Sequence, residues 1–182
     1  MSHLQQMAQQ IEDAAQKGQV LRVRYRNLNG ERSRRDILPV TGLCWDAGGA
    51  SANFNAFSFV LEHSRRNYTE SGFFPFRVDN ITALEGPTGV VVSPEAIGRL
   101  VHVPAEHVLV FPGPDAELDS GKFQKPEAVH KSELDYYISL GFQTTPWIGT
   151  VTRPAPQPWT PRGAEVRNSM DRQEIRNPFD LL

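Results

Sequence analysis

The chain has 182 residues, 39% of them hydrophobic and 22% charged, with fourteen glycines, fourteen prolines and a formal net charge of −2. That length holds one domain with a real core, or a small domain with an appendage, and excludes two full-sized domains; so many turn formers also argue against a long helical bundle. With no global positive charge, any attraction to phosphate has to come from a local patch, and a lone cysteine, Cys44, excludes an intramolecular disulfide and a cysteine-based zinc site.

In chain order, Leu4, Met7, Ile11 and Ala14 recur at helical spacing, and Gly18 stands where a helix would stop. The opening stretch lacks the charged start and long apolar run of a signal peptide or membrane span, so a cytoplasmic protein without membrane association is expected. From Val20 the period drops to two: Leu21, Val23 and Tyr25 alternate with Arg22, Arg24 and Arg26, the pattern of a half-buried strand. Asn27 to Gly30 supply a turn, and "ERSRRDILPV" returns as the second arm of a hairpin, with Pro39 ending regular pairing or marking an edge.

"TGLCW", "FNAFSFVLEH" and "ESGFFPFRVDNITALE" extend a β-rich block to Glu85. "EGPTG" reads as a boundary, followed by a strand and then a helix with Ser93 as N-cap and Pro94 at its first position. His107 to Phe111 is another strand, and "PGPDAELDSGKFQKPEAVHK" a long loop. Ser132 then caps a helix with Leu134, Tyr137 and Ile138 on one face, stopped by Gly141. Five prolines between Pro146 and Pro161 preclude a continuous helix or central strand and leave an arm. The expected organisation is α+β: a helix and β-block over 1–86, a strand-helix-strand-loop-helix extension over 87–143, and a Pro-rich arm over 144–182.

Six arginines (Arg22, Arg24, Arg26, Arg32, Arg34 and Arg35) stand on the hairpin against the single acid Glu31 within the same stretch. The planar guanidinium fork suits phosphate or carboxylate and stacks on bases, which points to recognition; a solvated strand face is the commoner use of such charge. "EHSRRNY" adds His63, Arg65 and Arg66 beside Tyr68 at a strand end, where rings and guanidinium groups could clasp a nucleotide or simply form a polar loop. His102 and His107 are five residues apart and share no face of a helix or strand, so no metal site is expected. Nucleophile elbow, phosphate-cradling loop and paired carboxylates are all missing, so neither an enzyme nor a cofactor is expected.

The order of motifs over residues 11–85 resembles the WYL domain, a small Sm-like β-barrel of bacterial regulators and of proteins tied to phage defence. In that family a strand ending in tyrosine leads through a Gly-containing turn to Arg-x-aliphatic-x-Pro, here Tyr25, Gly30 and Arg35 to Pro39. The closing motif Phe-Arg-Leu-Asp-Arg-Ile is matched by Phe76 to Ile81, with Asn80 in place of the second arginine, and the naming triplet stands as Phe57-Ser58-Phe59.

The resemblance implies a barrel whose basic pocket binds nucleic acid or a nucleotide-like anion and modulates a partner. Tyr25, Arg35 and Arg77 would line the pocket, with His63, Arg65 and Arg66 beside it. Alternation sets Arg22, Arg24 and Arg26 opposite Tyr25, so stripe and pocket need not be one surface. The competing expectation is a subunit of a larger phage- or defence-related assembly, in which residues 144–182 hold a neighbouring protein or a second copy.

Overall fold

Residues 2–64, 71–119 and 124–152 are described by a computed structural model. Helix α1 (His3–Lys17) opens on a capping box: Ser2 Oγ accepts from the Gln5 N–H, and the Gln5 side chain accepts from the Ser2 N–H. It ends at Gly18, whose left-handed φ of 60° lets its N–H bond back to the Ala14 and Ala15 carbonyls. The stripe Met7, Ala8, Ile11 and Ala14 is buried.

Strands β1 (Gln19–Arg26), β2 (Arg32–Pro39), β3 (Leu43–Trp45), β4 (Ala52–His63) and β5 (Gly72–Arg77) follow, and a 3-10 turn at Val78–Asn80 leads to β6 (Ile81–Val91). Antiparallel pairing joins β5 to β4, β4 to β2, β2 to β1 and β1 to β6, while β3 lies against the first residues of β4. The inward face of this sheet contributes Leu21, Val23, Ile37, Phe54 and Phe76 to one core with α1.

The α+β class is as expected, but a closed barrel is not what forms. The paired path is open: β6 is one of its ends, β5 branches from β4 off that path, and among the described residues these two strands are joined by the 3-10 turn and not by a ladder. Strand β5 has only six residues, and its ladder runs against Asn53 to Ser58 of β4. Strand β6 runs through the "EGPTG" stretch. Gly86 and Gly89 take positive φ, the ladder with β1 slips where the strand bends, and Pro87 is tolerated because β6 is an edge strand.

Beyond β6 come α2 (Pro94–Leu100), β7 (His107–Pro112), α3 (Pro114–Asp119), β8 (Glu127–His130), α4 (Leu134–Ser139) and β9 (Phe142–Gln143), with β8, β7 and β9 forming a second sheet. Ile97, Leu109 and Phe111 of this part close over Val20, Leu38, Val40 and Phe57 on the outward face of the first sheet. One end of that face is thereby apolar and covered.

The stretch expected as a long loop contains α3 and β8, elements of six and four residues, too short for periodicity to declare them. Ser132 lies inside a 3-10 turn ahead of α4 and is not its cap; its hydroxyl pairs with His130 Nδ1 at 2.7 Å. The arm begins as structure: Thr150–Thr152 form β10, which adds in parallel to β3. From Arg153 onward the arm lies outside the described residues, as do Arg65, Arg66 and Tyr68.

Candidate functional site

Register fixes what the hairpin presents. Leu21 lies opposite Ile37, Val23 opposite Arg35 and Tyr25 opposite Ser33, while Arg22 faces Asp36, Arg24 faces Arg34 and Arg26 faces Arg32. Directly opposed residues share a face, and the first set includes core residues. Arg35 therefore belongs with Tyr25 on the inward surface, and the other five arginines of the hairpin share the outward one.

On the inward side, Tyr25, Arg35 and Arg77 line one cavity of about 520 Å3, walled by Phe74 and Phe76 and reached also by Asn80. Tyr25 packs edge-on against Phe76, ring centroids 4.9 Å apart, and its Oη accepts from the Arg77 backbone N–H at 3.4 Å. Arg35 is only 8% exposed. Its Nε donates to Ser33 Oγ at 2.8 Å and its Nη1 to Ser58 Oγ at 3.3 Å, with the guanidinium 5.6 Å and 5.9 Å from the Phe74 and Phe76 ring centres. A guanidinium does not give up its proton, so Arg35 carries its charge into this buried position.

Arg77 grips Asp79 in a two-pronged pair, Nη2 to Oδ2 at 2.7 Å and Nε to Oδ1 at 3.2 Å. Burial works against the Asp79 charge, yet hydrogen bonds from Arg77 and Ser51 outweigh it and hold the carboxyl below its ordinary range. Its contribution to stability is therefore complete above the unfolded value near ~3.9 and is lost as pH falls through the lowered folded value. We expect Asp79→Asn to be less stable than the parent at pH 7, with the gap narrowing toward pH 3 when thermal unfolding is followed at both pH values. Asn80, which stands where the WYL motif has arginine, carries a buried Nδ2 with no hydrogen-bond partner among the described residues. Nothing in the sequence marked it as a site residue.

On the outward side, Arg24 and Arg34 are directly opposed, an arrangement that repels unless bridged. Glu85 of β6 bridges them: Oε1 takes Arg24 Nε at 2.7 Å, and Oε2 takes Arg34 Nη2 at 2.9 Å. Those bonds, from Arg24 first and then Arg34, hold the Glu85 carboxyl below its ordinary range. Arg22 is matched by Asp36 in a two-pronged pair at 2.7 Å and 2.9 Å, and Glu62 stands 3.6 Å from Arg34.

Toward the turn, Arg26 and Arg32 form the last opposed pair, and no carboxylate among the described residues pairs with either. The charge surplus that the sequence spreads over the whole hairpin is thus concentrated at its tip. Four arginines, Arg24, Arg26, Arg32 and Arg34, line an open groove of about 510 Å3. We expect Glu85→Gln to raise the affinity of this groove for a polyanion such as heparin and to steepen its salt dependence, read as a later elution on a salt gradient. The backbone of His63 pairs with Ser33 at the end of β4.

No family model matches the chain, and no curated protein matches it. A solved structure is similar. Proteasome accessory factor B/C (PafBC) of Arthrobacter aurescens aligns at 22% identity with a TM-score of 0.39, over 78% of this chain and 24% of that one. The chain thus spans about a quarter of that protein's length, and a likeness at this score does not fix a family. No described helix is long and apolar enough to cross a membrane.

Proposed function

We propose that the protein is a non-enzymatic, WYL-like binding and regulatory module whose arginine hairpin recognises nucleic acid or a nucleotide-like anion. The observation that carries this reading is the convergence of Tyr25, Arg35 and Arg77 on one cavity, although Tyr25 and Arg77 are fifty-two positions apart in sequence. An initial helix, the strand order β5, β4, β2, β1, β6 and a 3-10 turn between β5 and β6 support an Sm-like description of the scaffold, with its path left open.

The chemistry of the cavity favours an anion with a flat apolar part. Arg35 supplies desolvated positive charge, Phe74 and Tyr25 supply ring surface on which a base can stack, and the unpartnered Asn80 Nδ2 supplies a donor that a phosphate or carbonyl oxygen would satisfy. Titration calorimetry with adenosine monophosphate and with a 5′-phosphorylated dinucleotide tests the reading. Binding should weaken as salt is added, and Arg77→Ala should weaken it about tenfold, as expected for removing one charge-assisted hydrogen bond. Arg35→Lys keeps the charge but not the fork and should weaken it as well. Affinity indifferent to salt and to both substitutions would sink the proposal.

A further inference from the structure

The bare end of the outward face carries more than arginine. Phe59 of β4 lies opposite Asp36, and Asp36 lies opposite Arg22, so the phenyl ring shares the outward surface with the stripe. It is 38% exposed, propped edge-on against the buried Phe57 with ring centroids 4.9 Å apart. Leu61 is 43% exposed and falls where the ladder slips, between Val60 opposite Arg35 and Glu62 opposite Arg34. Among the described residues, the C-terminal part packs in one cluster with Phe57 and Leu38 on this face, and Phe59 is not part of that cluster. Single exposed apolar residues need no explanation, but an exposed ring opposite Asp36, two residues along β2 from the groove-lining Arg34, puts on one face two chemistries that one ligand class shares.

We propose that this outward face is a second site, sharing only Tyr25 with the cavity that Arg35 and Arg77 line, that takes single-stranded nucleic acid. Arg26 and Arg32 hold backbone phosphates and Phe59 stacks on a base. The inference rests on the reading that this hairpin recognises nucleic acid, but it places the polymer on the face opposite the cavity. Charge complementarity favours a polyanion: among the described residues, the five arginines of the face have ion pairs with three carboxylates, Asp36, Glu62 and Glu85, and the two nearest the turn pair with none of them. Alternate residues on a strand recur every ~6.8 Å, so the arginine rows form a ladder along which an extended backbone can lie. The exposed ring decides between strands, because duplex bases are stacked on one another and offer Phe59 no face, whereas single-stranded bases do.

Fluorescence anisotropy of the full chain with a labelled twelve-nucleotide oligothymidylate tests this, set against a duplex of equal length and against inorganic polyphosphate. The oligothymidylate should bind more tightly than either. Arg26→Ala with Arg32→Ala should weaken both oligothymidylate and polyphosphate and reduce the slope of log affinity on log salt by roughly 1.4, about 0.7 for each phosphate no longer neutralised.

Phe59→Ala should weaken the oligothymidylate about tenfold and leave polyphosphate unchanged. Phe59→Leu, which keeps an apolar side chain against Phe57 and hence the fold, should behave like Phe59→Ala. Arg77→Ala should leave oligothymidylate binding intact. Equal affinity for the duplex, no effect of the Phe59 variants, or no binding of the oligothymidylate at all would each overturn the outward site. Loss of oligothymidylate binding in Arg77→Ala alone would assign the polymer to the cavity, overturning this inference while sparing the proposed function. Mononucleotide binding that is lost in no cavity variant would do the reverse.

Discussion

Phe76→Ala is expected to cost about 3–5 kcal/mol of folding stability, the usual range for truncating a fully buried ring. Phe76 is 2% exposed, stacks on Phe54 with centroids 5.6 Å apart and an interplanar angle of 25°, and takes the edge of Tyr25 on its other side. The residue sits at the junction of core and cavity, because the same ring lies 5.9 Å from the Arg35 guanidinium and walls the Tyr25 cavity. Removing it withdraws packing from Phe54 and ring surface from a buried cation at once. Urea unfolding should show the midpoint falling with little change in slope. Mononucleotide binding should fall further than in Phe54→Ala, which damages the same core without lining the cavity. Equal binding losses in the two variants would mean that Phe76 acts on the cavity only through stability.

Much of this arrangement was legible because strand alternation is a strict signal. The period-two run from Val20 to Arg26 fixes which side chains of β1 face inward, and it separates the arginine stripe from Tyr25 without any knowledge of strand pairing. Ser2 to Gly18 carries a complete helix grammar, with a cap, an apolar stripe and a left-handed stop. The hairpin also declares its turn.

What escaped the sequence depended on residues brought from a distance. Glu62 and Glu85 lie outside the hairpin in sequence yet answer Arg34 and Arg24 in space, so a count of local charge overstated the positive field. Asn80 looked like a departure from a motif, and only its orphaned, cavity-lining amide gives it a part. Phe59 reads as an ordinary strand residue until the extent of the C-terminal cover is known. The closed barrel failed for a related reason: closure depends on whether two strand edges meet, which alternation within each strand does not encode.

Gly18→Ala is the second large effect, and its size depends on a close approach that no sequence pattern announces. The cap position already demands φ near 60°, where an L side chain costs roughly 1–2 kcal/mol. In addition, a Cβ at this position would stand far inside van der Waals distance of the Val92 carbonyl oxygen. The Val92 N–H donates to the Gly18 carbonyl at 2.8 Å, so the residue that follows β6 cannot retreat without breaking that bond between two half-buried residues, at a further ~0.5–1.5 kcal/mol.

Gly49→Ala is the control, since Gly49 has φ of 65° and nothing within 4 Å of its Cβ position; it should lose only the conformational part. Thermal unfolding of the two variants side by side separates the effects. If Gly18→Ala were no worse than Gly49→Ala, the approach of Val92 would not hold α1 and β6 together, and the joint from which the arginine hairpin starts would be looser than this geometry requires.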